Sequence, residues 1–297
     1  MKLNYLIEEK SQGEKISKYL RSQGISRRIL KRIKYQGGEI VVNGLSQRSD
    51  YRLQINDQLT ITIPDLASSS NIVRIAKPIE VIYEDNYFLA VNKPPFLPSI
   101  PKRGDDLDNV ASRVKNYLYE TTGEDFPIHL ITRLDSDTSG VILFAKNSLS
   151  HSLFFKDKSG HGVDKEYFAV VKGQIEQDLL LMLPLGRSPE FFLRRVISDQ
   201  GKSSITLVKV AQNYQEATAL NVRLFTGRTH QIRAHLSAIE HPIYGDELYG
   251  GDRLLIDRQA LHCQRLEFTH PFTQKKITIS APLPRDLNDL LDNFCPM

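Results

Sequence analysis

Apolar residues recur along this chain in two rhythms. Up to residue 35 the spacing is helical. Ile29, Leu30 and Ile33 form one stripe, while Arg28, Lys31, Arg32 and Tyr35 fall at i, i+3, i+4 and i+7 on another face. The pattern predicts a helix over 15–23 ended by Gly24, then a second over 27–35 with Ser26 as its N-cap and Gly37 and Gly38 as its stop. Short strands follow over 39–42 and 58–63, with Asn43-Gly44 as a turn. After an irregular stretch containing Ser68, Ser69, Ser70 and Asn71, the rhythm changes to short apolar runs of strand length. These predict strands over 81–83, 88–91, 128–132, 141–145, 167–171, 205–210, 219–225, 261–268 and 276–279. Helical spacing returns at Leu107, Val110, Val114 and Leu118, in a short helix capped by Ser148, and over 231–239. Many strands with scattered helices argue for an α+β fold on a mixed, largely antiparallel sheet, preceded by a small α/β module. The expected boundaries are 1–64 for the module, 65–77 for a linker and 78–297 for the larger domain.

Length and composition narrow the class. A chain of 297 residues with 40% apolar and 25% charged residues is long enough for two domains. It is too apolar for a disordered tail. The run from Leu179 to Leu183 stops at Pro184, far short of the roughly 18 apolar residues of a membrane span. No secretory h-region is visible in MKLNYLIEEK, and two cysteines match neither a disulfide framework nor a zinc site. A cytoplasmic protein that does not enter membranes is expected.

The charge is unevenly placed. There are 39 basic and 35 acidic residues, a net of +4, yet residues 1–63 carry 12 basic against 6 acidic groups. Within 10–34, nine basic residues face Glu14 alone. Such a patch suits a polyanion, with nucleic acid as the expected partner through Arg27, Arg28, Lys31 and Arg32. A well-solvated helix face is the plainer alternative.

Two segments concentrate chemistry. Residues 131–140, ITRLDSDTSG, place Arg133, Asp135 and Asp137 in a polar loop between apolar strands. On spacing alone an Asx-type turn accounts for both carboxylates. Their i, i+2 spacing lacks the glycine and glutamate of a calcium loop, so no metal is expected. Residues 226–235, TGRTHQIRAH, follow a strand and open a helix, with Thr229 as the expected N-cap. Arg228 and Arg233 there suit a phosphate or carboxylate. His230 and His235 are five apart, poor joint ligands, and fit structural hydrogen bonding. A third segment, KEYFAVVKG from Lys165, reads as one strand in which Tyr167 alone signifies packing.

Taken together, RLDSDTSG, KEYFAVVKG and TGRTHQIRAHL resemble, in order, the motifs of RNA pseudouridine synthases of the RluA/RluD type. YEDNYFLAVNKP, HPIYGDELYG and LHCQRLEFTHP extend the resemblance over about 78–285. The segments ISRRILKRIKYQGGEIVVNG and INDQLTITIP resemble the S-four-like RNA-binding domain, with Ser17 where that family often has Asp. The resemblance implies a pseudouridine synthase catalytic domain that breaks the N1–C1′ bond of a uridine and rejoins the base through C5. No redox change or group transfer occurs, so no cofactor is implied. It assigns the reactive carboxylate to Asp135, its charge partner to Arg233, the ring against the uracil to Tyr167 and contacts to the flipped nucleotide to Arg133. Departures are Thr132 where the family commonly has His, PPFLPSIP in place of a glycine and His-Pro, and Ser204 and Cys263 where alanines are usual. Ribosomal RNA of the large subunit is the expected substrate, in a monomeric enzyme. Transfer RNA, or a non-catalytic role in ribosome assembly, are the alternatives.

Overall fold

The structure is a computed structural model that describes residues 2–64, 72–101, 108–125, 127–155, 162–191 and 193–297. Leu107 and most of the expected linker lie outside these residues.

The first 64 residues form a four-stranded antiparallel sheet backed by two helices. In chain order these are β1 (Lys2–Leu6), α1 (Ile16–Ser22), α2 (Arg27–Tyr35), β2 (Glu39–Val42), β3 (Leu45–Ser46) and β4 (Gln58–Thr62), with the sheet ordered β1-β4-β2-β3. Ser26 caps α2, accepting a hydrogen bond from Ile29 N at 3.3 Å. The apolar stripe Ile29, Leu30 and Ile33 is buried, with Ile16, Leu20, Leu59 and Ile61. β1 was not expected. It is an edge strand whose exposed and half-buried residues alternate, and its pairing of Lys2 with Thr62 spans the module.

The larger body is built on β5 (Glu80–Glu84), β6 (Phe88–Lys93), α3 (Val110–Thr122), β7 (His129–Leu130), β8 (Ser139–Ala145), α4 (Ser148–Phe154) and β9 (Asp164–Lys172). It continues with β10 (Leu179–Met182), β11 (Leu185–Arg187), β12 (Arg195–Ile197), β13 (Ile205–Asn213) and β14 (Ala217–Leu224). α5 (Gln231–Ala238), β15 (Leu261–Thr269), β16 (Lys276–Ser280) and α6 (Arg285–Asp292) complete it. Among the described residues ten strands form one sheet, in the order β10-β13-β14-β9-β15-β8-β6-β5, with β16 on β15 and β7 on β8. Every pairing in it is antiparallel except β8 with β15. The fold is α+β on a mixed sheet.

All seven residues of β8, SGVILFA, are buried, as a continuous apolar run in a central strand should be. Leu261 and Cys263 of β15, Tyr167 and Ala169 of β9, and Val114 and Leu118 of α3 share that core. Ile75 and Lys77, within the expected linker, are held on α3: Ile75 N donates to the Ser112 carbonyl, and Lys77 pairs with Asp108.

Gly140 permits the parallel pairing. It sits opposite Cys263 at φ +111°, and a Cβ there would overlap the Cys263 backbone. Gly140→Ala is therefore expected to destabilise the body by at least about 2 kcal/mol, combining a positive φ with a backbone collision. Urea unfolding measures it, and a loss below about 0.5 kcal/mol would mean that β15 can shift away.

The two modules touch through α4. Asn147, not Ser148, caps this helix, its Oδ1 accepting from Ser150 N at 2.8 Å. Ser148 Oγ instead accepts from Arg32 Nη1 at 2.9 Å. Leu149 is buried with the N-terminal core, and Ser152 Oγ donates to the Gly24 carbonyl at 3.2 Å.

Candidate active site

Strand order brings the two polar segments together. The 131–138 loop precedes β8, Tyr167 lies near the start of β9, and the 226–230 turn follows β14. Because β9 lies between β14 and β15, and β15 next to β8, all three open on one cleft of about 790 Å³. Arg133, Asp135, Lys165, Tyr167, Arg228, His230 and Arg233 line it.

Asp135 is the acidic side chain on that lining. Its Oδ2 accepts from Arg233 Nη1 at 3.1 Å and lies 3.7 Å from His230 Nε2. Arg233 is itself only 8% exposed, one turn into α5. Its Nε and Nη2 donate to both oxygens of Asp246, at 2.6 and 2.7 Å, and its guanidinium carbon lies 5.0 Å from the Tyr249 ring centroid. Burial opposes the Arg233 charge, but hydrogen bonding to Asp246 and the field of both carboxylates raise its pKa overall, and it stays a cation. The fork on Asp246 locks the guanidinium plane and aims the remaining nitrogen at Asp135.

The Asx-type turn is not the use made of Asp135. Its carboxylate faces the guanidinium, while the loop turn is closed by Thr138 N donating to the Asp135 carbonyl at 3.2 Å. Leu134 is buried behind it, and Arg133 points outward on the cleft side. This alternation is what an extended chain dictates.

His230 makes the structural hydrogen bond expected of it and also lies on the cleft lining beside Asp135. It occupies the N-cap position of α5 in the left-handed region, φ 56°, and its Nδ1 lies 3.2 Å from Tyr249 Oη. Burial lowers its pKa despite the Asp135 charge, so the imidazole is neutral at pH 7. Thr229 is not the cap. No side chain caps α5; the buried Gln231 amide instead ties down the preceding turn, its Oε1 accepting from Arg228 N at 3.0 Å and from Thr226 Oγ1 at 2.9 Å, and its Nε2 donating to β13. His235 is structural, bonded to the Leu183 carbonyl at 2.9 Å.

Tyr167 is 5% exposed, and Cys263 is its cross-strand neighbour. Burial first, then the nearby Cys263 and Asp135, raises the phenol well above 10, so it is un-ionised at neutral pH. Lys165, two residues earlier on the same face, also reaches the cleft, and burial pushes its pKa down. Burial pushes the Cys263 thiol up to about 12, so it is no thiolate. Thr132, the family's usual histidine position, is buried, and its Oγ1 accepts from Leu143 N at 2.9 Å. The hydroxyl braces β8, and Thr132 is also part of the cleft lining.

Arg228 is exposed on the rim and donates to the Ser203 carbonyl at 3.3 Å. Arg27, Arg28 and Lys31 project into solvent from α2, whereas Arg32 also reaches the Pro64 carbonyl at 3.2 Å and, through Ser148, bridges the modules. Lys165 and His230 line the cleft and Asp246 and Tyr249 contact Arg233, placements that sequence reasoning did not assign. The signals available were the i, i+2 pairing of Lys165 with Tyr167 and the Asp246/Tyr249 spacing in GDELYG. Among the described residues no group of His, Cys, Asp and Glu could hold a metal ion, and no helix is long and apolar enough to cross a membrane.

The cleft on this mixed sheet thus presents a carboxylate held on a buried arginine. Residues 87–238 match the RNA pseudouridylate synthase family, and the chain belongs to that family. It is 38% identical over 277 residues to the uncharacterized RNA pseudouridine synthase YjbO of Bacillus subtilis, covering 93% of this chain and 98% of that protein. It is 31% identical to the ribosomal large subunit pseudouridine synthase D of Xylella fastidiosa, over 86% of this chain and 81% of that one. The solved structure of human RNA pseudouridylate synthase domain containing 1 superposes with a TM-score of 0.58 at 24% identity, covering 74% of this chain and 89% of that one. That likeness concerns the fold.

Proposed function

We propose that this chain isomerises uridine to pseudouridine in large-subunit ribosomal RNA with Asp135 as its reactive carboxylate. The observation that carries the reading is the Asp246–Arg233–Asp135 chain, buried at Asp246 and Arg233, which ends on the one acidic side chain lining the cleft among the described residues. The ribosomal substrate rests on the relatives named for that activity.

In this reading Asp135 acts at the ribose, by attack at C1′ or by removing the 2′ proton. Either route needs an aimed carboxylate, and the Arg233 hydrogen bond at 3.1 Å aims it. N1 is released, the uracil turns, and C5 bonds to C1′ as the C5 proton leaves and N1 gains one. Tyr167, un-ionised, supports the base as a flat apolar surface; a standing phenolate base is disfavoured by its raised pKa. Arg133 and Arg228 on the cleft wall are placed to hold the phosphates of a nucleotide turned out of its stack. The atoms balance without an external donor or acceptor, so the chemistry calls for no cofactor.

Residues 1–64 serve as the RNA-binding domain, through the exposed cations of α2. Replacing Arg27, Arg28 and Lys31 together by Ala is expected to weaken RNA binding and to flatten the slope of log K against log salt by about 2. An unchanged slope would place the RNA elsewhere. The reading as a whole is tested by tritium release from RNA labelled at uridine C5, using ribosomal and transfer RNA from cells lacking this protein. Release from ribosomal RNA supports it; release from transfer RNA alone overturns the substrate, and binding without release from either overturns the enzyme.

A further inference from the structure

The loop that carries Asp135 is held by four side chains, of which Lys93, Arg258 and Gln259 lie outside the cleft lining and Ser99 lies on it. Ser99 Oγ donates to the Leu134 carbonyl at 2.7 Å, Lys93 Nζ to the Ser136 carbonyl at 2.5 Å, Arg258 Nη1 to the Asp137 carbonyl at 3.2 Å and Gln259 Nε2 to Thr138 Oγ1 at 2.7 Å. Two of the four are basic side chains, and both are buried, Lys93 at 0% and Arg258 at 1% exposure; burial pushes the Lys93 amine down to about 7, whereas Arg258 carries a guanidinium. They converge on the two peptide groups that follow Asp135.

Burying a cation is costly, and an apolar residue of similar volume commonly stabilises as well or better. Packing alone therefore does not explain a guanidinium buried here. The effect of both side chains is directional. With the 136 and 137 carbonyls drawn away from the cleft, the backbone on the C-terminal side of Asp135 cannot turn, and the carboxylate stays aimed at Arg233. Arg258 is anchored at its other end. Its Nε and Nη2 fork onto Asp286, in the first turn of α6, at 2.6 and 3.0 Å, and its Nη1 also meets the Gln259 and Leu261 carbonyls, both at 3.1 Å. The C-terminal helix is thus joined to the nucleophile loop through one side chain.

We infer that Arg258 is a positioning residue for Asp135, and that Asp286 of α6 sets it, so that docking of α6 governs the rate of the chemical step. The inference rests on Asp135 being the reactive carboxylate. Asp286 tests it well, because its side chain is 38% exposed and Asp286→Asn keeps its shape. In the full-length chain Asp286→Asn is expected to lower kcat about tenfold to a hundredfold, the range for a small misplacement of a reacting group, with KM for RNA within about twofold. Arg258→Lys, which cannot hold both Asp286 and the Asp137 carbonyl, should behave alike, and the two together should cost little more than either. A crystal structure of Asp286→Asn gives a readout independent of turnover, in which the Asp135–Arg233 contact lengthens or the loop loses order. A wild-type kcat, a loss that tracks only the fraction folded, or an unmoved Asp135 overturns the inference. An unmodified chain inactive on every RNA overturns the functional reading instead, and the crystal structure still decides whether α6 positions Asp135.

Discussion

Asp135→Asn is expected to bind RNA within a few-fold of the unmodified chain and to release tritium at least about 10⁴-fold more slowly, since loss of a reacting nucleophile costs that much or more. The substitution keeps the shape of the side chain and an oxygen for Arg233, so folding should be spared. It removes the negative charge that either route at the ribose requires. Asn also brings an amide nitrogen, which can face Arg233 only at the loss of their 3.1 Å hydrogen bond. Single-turnover rates with enzyme in excess separate the loss from any change in binding. Residual activity within about tenfold of the unmodified chain would rule Asp135 out as the reacting group.

The second large effect concerns Arg233, and it has two parts. Arg233→Ala should reduce turnover by about 10²- to 10³-fold, the scale for removing one preorganised electrostatic partner. It should also destabilise the fold by about 3–5 kcal/mol, because Asp246, 2% exposed, is left as an uncompensated buried charge. Arg233→Lys separates the two. A lysine keeps the charge but cannot fork onto Asp246 while reaching Asp135, so it should recover stability more fully than rate. Denaturant unfolding and single-turnover rates of both variants are the measurements. An Arg233→Ala protein of unchanged stability would contradict the buried pair, and one with unchanged turnover would remove Arg233 from the site. If RNA affinity falls as far as turnover, Arg233 is a phosphate contact instead.

Much of this was legible in the chain because it is local. The stripe of Ile29, Leu30 and Ile33, the Ser26 cap, the continuous run in β8 and the strand around Tyr167 are set by residues a few positions apart. Local spacing failed where a neighbour took over a role. His230, with no side-chain cap bond, sits at the N-cap of α5 where Thr229 was expected, and Asn147 caps α4 in place of Ser148. Edge strand β1, the β11–β12 hairpin and α6 were not expected. β1 and the hairpin strands are short, and β1 is only half-buried, so each has little apolar pattern before its partner arrives; α6 does carry a helical stripe, Leu287, Leu290 and Leu291, over eight residues only.

By itself the sequence determined the kinds of element, the basic face of α2 and the polar loop that carries Asp135, because propensity, capping and periodicity act over one or two turns. It also placed Asp135 and Arg233 in separate motifs, 98 residues apart, without a physical reason to join them. Only the tertiary structure decided that joining. β15 enters the sheet between β8 and β9, out of chain order, and this sets the Asp135 loop beside Tyr167 and the start of α5. The same packing buries Asp246 against Arg233, turns His230 toward Asp135 and fixes Arg258 between α6 and the loop. Each of these contacts depends on burial and on the alignment of distant segments, and neither quantity has a local signature.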